Sequence, residues 1–145
     1  MKTTLTFLTI LICSILATGC SKPDEVVPND VRVARLLTGV GNKVWHLKKV
    51  YTNNVEQVLT GYQLSYTKTY TVSPGKQTSG TFTNSDNLFG TWAMSDAGNK
   101  IEESFVSGGG QGFILPYSIN EITETTMDVM YSSNGKLTRE VYYAY

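Results

Sequence analysis

The sequence predicts an all-β fold: about eight antiparallel strands in an up-and-down meander closed, or nearly closed, into a barrel, with one short N-terminal helix. Three observations predict it. From residue 43 onward, apolar and aromatic runs of about 6 to 10 residues are cut repeatedly by turn chemistry. The clearest of these runs alternates with period two, as a half-buried strand does. The connections are short, and parallel neighbours would need long crossovers.

The first residues are expected to be an export signal. Met1-Lys2 is a short positive start, and Leu5 to Ala17 is apolar and uncharged. That run is shorter than the roughly 20 residues of a membrane span, and it reads as a secretory signal. It ends Leu16-Ala17-Thr18-Gly19-Cys20. These residues resemble the lipobox of bacterial lipoproteins, which implies removal of residues 1–19 and lipid attachment at Cys20. Residues 20–30 are then a lipidated cysteine and a polar tether with Pro23 and Pro28. Lys22, Asp24 and Glu25 resemble the export signal of surface-displayed lipoproteins. The expected location is therefore outside the cytoplasm, lipid-anchored to the outer membrane on its periplasmic or cell-surface face. Residues 31–145 have the length of one domain.

That domain opens with the helix. Asp30 is an N-cap type, Val31, Ala34 and Leu37 form an apolar stripe, and Gly39 follows as a C′ glycine. Arg32 and Arg35 fall on its solvated side. The first strand is Lys43 to Thr52, turned by Asn53-Asn54. In Leu64 to Val72, residues Leu64, Tyr66, Tyr70 and Val72 share one face and Ser65, Thr67, Thr69 and Thr71 the other. Further strands are predicted over Gln77–Thr83, Leu88–Ser95, Lys100–Val106, Phe113–Ile122, Thr125–Ser132 and Lys136–Tyr145. Asn134-Gly135 marks a type I′ hairpin, which needs positive φ at both central residues.

Composition narrows the function. The chain has 12 basic and 12 acidic residues, so it lacks the basic field that attracts nucleic acid. Its only basic pair, Lys48-Lys49, should point to opposite faces of a strand. Its two cysteines are Cys13, in the signal, and Cys20. The domain then has no thiol, disulfide or thiolate metal site. His46 is the single histidine, too little for a zinc site or a catalytic triad. Glu102 and Glu103 diverge on a strand and cannot flank one bond as paired catalytic carboxylates do; a solvated face and one inward or bulged carboxylate are expected. Gly108-Gly109-Gly110-Gln111-Gly112 lacks the Lys-Ser/Thr of a phosphate loop and opens onto a strand, so it reads as an inter-strand loop or a lid over one mouth. No catalytic residue, cofactor or metal is expected.

Aromatics remain: nine Tyr, five Phe and two Trp. Tyr66, Tyr70, Phe82, Trp92, Phe105 and Tyr131 fall on faces expected to point inward. They either fill the core, as an eight-stranded interior allows, or line a ligand cavity. The lipobox, the short helix, Gly41 and Trp45 on the first strand, Gly90-Thr91-Trp92 at mid-chain and Tyr117-Ser118-Ile119 to Tyr131 together resemble the bacterial lipocalin-like lipoproteins over residues 36–145. The resemblance implies an eight-stranded barrel able to hold a small hydrophobic ligand. The alternative expectation is a non-catalytic surface or periplasmic module that binds a protein or glycan through exposed aromatics such as those of Tyr142-Tyr143-Ala144-Tyr145.

Overall fold

The computed structural model describes residues 26–105 and 112–145. The expected export signal, Cys20 and the expected tether up to residue 25 lie outside the described residues, as does most of the glycine loop. Helix α1 (Asn29–Thr38) leads into strands β1 (Asn42–Thr52) and β2 (Val55–Gln57), and then into a single helical turn, α2 (Gly61–Leu64). Seven strands follow: β3 (Thr67–Val72), β4 (Ser79–Asn84), β5 (Phe89–Ser95), β6 (Lys100–Phe105), β7 (Phe113–Ile122), β8 (Thr126–Ser133) and β9 (Lys136–Tyr143). From β3 onward each strand pairs antiparallel with the next in sequence, and β9 pairs back onto β1. The result is a closed eight-stranded antiparallel barrel of β1 and β3 to β9 with a short N-terminal helix.

Strand β2 is an addition to the expected set. It is a three-residue strand that continues beyond β3 along the same edge of β1, opposite Val50 to Thr52. With α2 it forms an excursion at the upper end of the barrel. Leu64 therefore belongs to α2 and not to the strand that follows. A Thr60–Gln63 capping box makes that turn: the Gln63 amide donates to the Thr60 hydroxyl and the Thr60 amide to the Gln63 side chain.

Asn53 and Asn54 both adopt positive φ, as do Asn134 and Gly135, and both pairs close tight hairpins. The Asn53 amide and side chain bond the Leu137 carbonyl and amide, tying the two upper hairpins together. Helix α1 starts two residues earlier than expected, with Pro28 rather than Asp30 at the N-cap. The reason is the extended backbone of Pro28 (φ −54°, ψ 146°) and the docking of the Asn29 side chain on the Ala97 carbonyl. The C′ glycine is as expected: Gly39 has φ 61° and its amide donates to the Arg35 carbonyl.

Lys48 and Lys49 are both exposed, contrary to the alternation expected. A β-bulge between Leu47 and Lys49 shifts the register against β9 and turns both outward. The same bulge lets Trp45 and Leu47 face inward below it and Val50 above it.

The two ends of the barrel differ. Helix α1 closes the lower end. Val31, Val33, Ala34 and Leu37 are buried there, and the Trp45 indole N–H donates to the Leu37 carbonyl at 2.8 Å. Lys43 crosses the Trp45 ring and donates to the carbonyls of Leu36 and Glu124. Above this plug the interior is packed with Tyr70, Phe82, Trp92, Ile101, Met127 and Tyr142, all at most 1% exposed. Two cross-strand pairs set that packing: Gly80 lies opposite Trp92 and Gly90 opposite Phe82. In each, the missing side chain is the seat of the aromatic ring.

Candidate functional site

The upper end opens on a cleft of about 540 Å³. Its walls come from three places. Strands β1, β8 and β9 supply Leu47, Val50, Tyr131, Thr138 and Glu140; the β2–α2 excursion supplies Val58 and Tyr62; Tyr66 precedes β3. Asp86, on the β4–β5 turn, and Lys136, at the start of β9, stand at the rim.

A buried polar layer lies in the interior. Lys68 and Glu103 face each other inside the barrel, and both are almost wholly excluded from solvent. The Lys68 ammonium donates to both Glu103 oxygens at 3.0 and 3.1 Å and to the Tyr117 hydroxyl at 2.8 Å. It also sits 4.3 Å from the Tyr117 ring centre. The Tyr70 hydroxyl donates to Glu103 as well. Burial alone would lower the Lys68 pKa. The oxygens around it, on the Tyr70 and Tyr142 phenols, the Glu103 carboxylate and the Tyr117 phenol, outweigh burial and hold it well above its ordinary value. Tyr70 is pushed well up by burial and then by Glu103. Lys68 is thus a fully engaged cation whose donors are turned to the protein itself.

Glu140 is placed differently. Its carboxylate accepts from the buried Tyr142 hydroxyl at 2.6 Å, and the residue lines the cleft. Burial and then the Glu140 charge push the Tyr131 phenol up. Burial also raises Tyr66, with Lys68 opposing and Glu140 adding. The Tyr66 hydroxyl accepts from the Asn84 side chain at 3.0 Å, and Tyr131 packs edge-on against Tyr117.

The six aromatics singled out from the sequence therefore separate. Tyr66 and Tyr131 line the cleft. Tyr70, Phe82, Trp92 and Phe105 lie in the packed core and are not among its lining residues. The Tyr70 and Phe105 rings pack against Phe82, and Phe105 stacks on Phe113 at 4.4 Å. Of the two adjacent glutamates, Glu103 points in and is buried while Glu102 is half-exposed. His46 lies on the outer surface against Tyr145.

Lys68 and Glu140 were missed by the sequence reading, although strand alternation carried the signal. Lys68 stands between Tyr66 and Tyr70 on the inward face, and Glu140 shares its face with Thr138 and Tyr142. Comparison with protein-family models, with curated proteins and with solved structures finds no match to this chain.

Proposed function

We propose that this chain is an exported, lipid-anchored binding module that holds a small amphipathic molecule at the mouth of its barrel and catalyses no reaction. The observation that carries the reading is the asymmetry of the ends. One end is plugged by α1, so that the cleft of about 970 Å³ there lies beside the helix, among Arg32, Leu36, Val40 and Lys43, and does not enter the barrel; the other end opens into the barrel mouth through a cleft of about 540 Å³ walled by Leu47, Val50, Tyr66 and Tyr131 with polar groups among them. Ligand pockets are of this size, and this lining, more polar than apolar, suits a molecule that carries polar groups beside its apolar part. The core beneath is filled, so a ligand occupies the mouth and not the depth of the barrel. The anchor rests on the apolar Leu5–Ala17 segment and on Cys20. The likeness to lipocalin-like lipoproteins supports both halves of the reading.

Two measurements test it. Cell fractionation should recover the protein with membranes, and Cys20→Ser should release it; a variant that stays membrane-bound would remove the anchor from Cys20. Native mass spectrometry of protein purified from its host should show a small molecule that leaves on unfolding. Tyr66→Ala with Tyr131→Ala should abolish its retention. Retention by the double variant would place the ligand elsewhere.

A second reading has its own observation. Tyr143 and Tyr145 are exposed on the outer surface, with Lys48 over the Tyr143 ring. An outer aromatic patch suits a protein or glycan partner. Tyr143→Ala should weaken such a partner and leave the mouth ligand unaffected.

A further inference from the structure

The proposed mouth site is electrically unbalanced. Its charged groups are Glu140, Asp86 and Lys136, which leaves one negative charge in excess. The ion pair beneath cancels itself, since Lys68 is bound on both oxygens of Glu103. Glu140 has a hydroxyl partner but no cationic one. Among the described residues, no lysine or arginine nitrogen lies within 4.0 Å of its carboxylate. The adjacent Arg139 is turned to Asp128 across β8, donating through Nε at 2.9 Å. A carboxylate has about four acceptor positions, and the Tyr142 hydroxyl fills one.

Aromatic rings stand around this carboxylate. Tyr66 and Tyr131 are partly buried and line the cleft with it, and Tyr62 of α2 forms part of the outer wall. Ring faces carry partial negative charge and attract cations, most strongly where water is partly excluded. Two tyrosines and a carboxylate without a cationic partner among the described residues line the cleft and recognise positive charge, while Leu47, Val50 and Val58 offer contact to an apolar body.

We propose that the mouth cleft selects an organic cation, an ammonium group on a small apolar or aromatic body, with Glu140 as its counter-ion and Tyr66 and Tyr131 as its ring walls. This rests on the reading of the mouth as a ligand site. Neutral and anionic molecules of the same shape lack the group that Glu140 accepts. Lys136, at the rim, repels the cation and tempers its affinity.

The test uses three matched probes: phenethylamine, phenethyl alcohol and phenylacetate. Their binding to the purified protein is followed by titration calorimetry and by backbone amide shifts at Tyr66, Tyr131 and Glu140. The amine should bind at least about tenfold more tightly than the alcohol, with the carboxylate weakest. Glu140→Gln keeps an acceptor for Tyr142. It should reduce amine affinity to that of the alcohol without changing alcohol binding. Lys136 is exposed, so Lys136→Ala leaves the fold intact and should strengthen amine binding. Equal binding of amine and alcohol at the cleft would overturn the cation assignment and leave the mouth site standing. So would tightest binding of phenylacetate, lost in Lys136→Ala. Absence of any probe from the cleft would overturn both.

Discussion

Lys68 holds a full charge in the interior of the barrel, and everything that makes it tolerable is within reach of its nitrogen. Glu103 supplies the opposite charge, Tyr117 a hydroxyl and a ring face, and Tyr70 a proton to the same carboxylate. Removing one partner of such a pair leaves a buried charge uncompensated. Lys68→Met should therefore cost about 3–5 kcal/mol in urea unfolding, and adding Glu103→Leu should recover most of the loss. A double variant no more stable than the single one would refute this account. The same groups set the alkaline limit. The folded pKa values of Tyr70, Tyr117 and Tyr142 lie above the ordinary 10.0, raised first by burial, and that of Lys68 lies above 10.5. Above those ordinary values the unfolded chain gives up protons that the folded one keeps, so stability falls as pH rises past about 10. On the acid side Asp128 acts in the opposite sense. Its burial raises the pKa, but hydrogen bonds from Arg139 and Asn120 outweigh it and hold it below 3.8. Its contribution is present above that value and is lost as pH falls through the folded pKa. Urea midpoints should thus be level from about pH 5 to 9 and decline beyond about pH 10; a level profile to pH 11 would argue against neutral buried phenols. Much of this residue-scale pattern was written in the strand period. The alternation that turned Tyr66 and Tyr70 inward also turned Lys68 inward, yet a lysine between threonines reads as solvated until its partner 35 positions away is known. One of the two adjacent glutamates was expected to be inward or bulged, and it is Glu103 that points inward, separated from Glu102 by alternation.

At the scale of elements, the strands are legible because turn chemistry brackets them. Phe113–Ile122 forms over the expected residues, and the other expected strands are found with their ends shifted. What escaped was the β2–α2 excursion. It is a short detour, not a core-facing strand, and its capping box spans only Thr60 to Gln63. The two bulges, after Leu47 and after Ile119, escaped as well, since one inserted residue changes parity without leaving a composition signal. The glycines opposite aromatic rings bear directly on strand packing. A Cβ on Gly80 would stand 1.9 Å from the Thr71 carbonyl oxygen and 2.8 Å from the Trp92 indole nitrogen. That indole donates to the same carbonyl. Gly80→Ala should therefore push β3 from β4 and unseat Trp92. The expected loss is about 1–3 kcal/mol or more in unfolding free energy, with a changed Trp92 fluorescence spectrum. Wild-type stability with unaltered fluorescence would show that the strands accommodate the methyl group.

For the molecule as a whole, closure is the property on which the rest depends. Strand β9 bridges β8 and β1, so losing it would expose two sheet edges at once. Deletion of residues 136–145 should give aggregated protein by size-exclusion chromatography, whereas a monodisperse monomer would mean that the remaining strands close without it. Because β1 must find β9 from nearly the full length of the domain, refolding should take milliseconds to seconds. Stopped-flow fluorescence of Trp45 and Trp92 reports both ends of that process: one ring sits under the plug, the other in the mid-barrel packing. The plug has one more consequence. The described chain enters the barrel at α1, the end opposite the cleft, and five residues lie between Cys20 and Val26, a reach of at most about 20 Å. If Cys20 carries the proposed acyl anchor, the domain is tethered through its closed base, as a cup is held by its foot. The mouth would then be the end farther from the attachment, so solutes would reach it by diffusion through water, and a molecule dissolved in the leaflet would have to leave it before being caught.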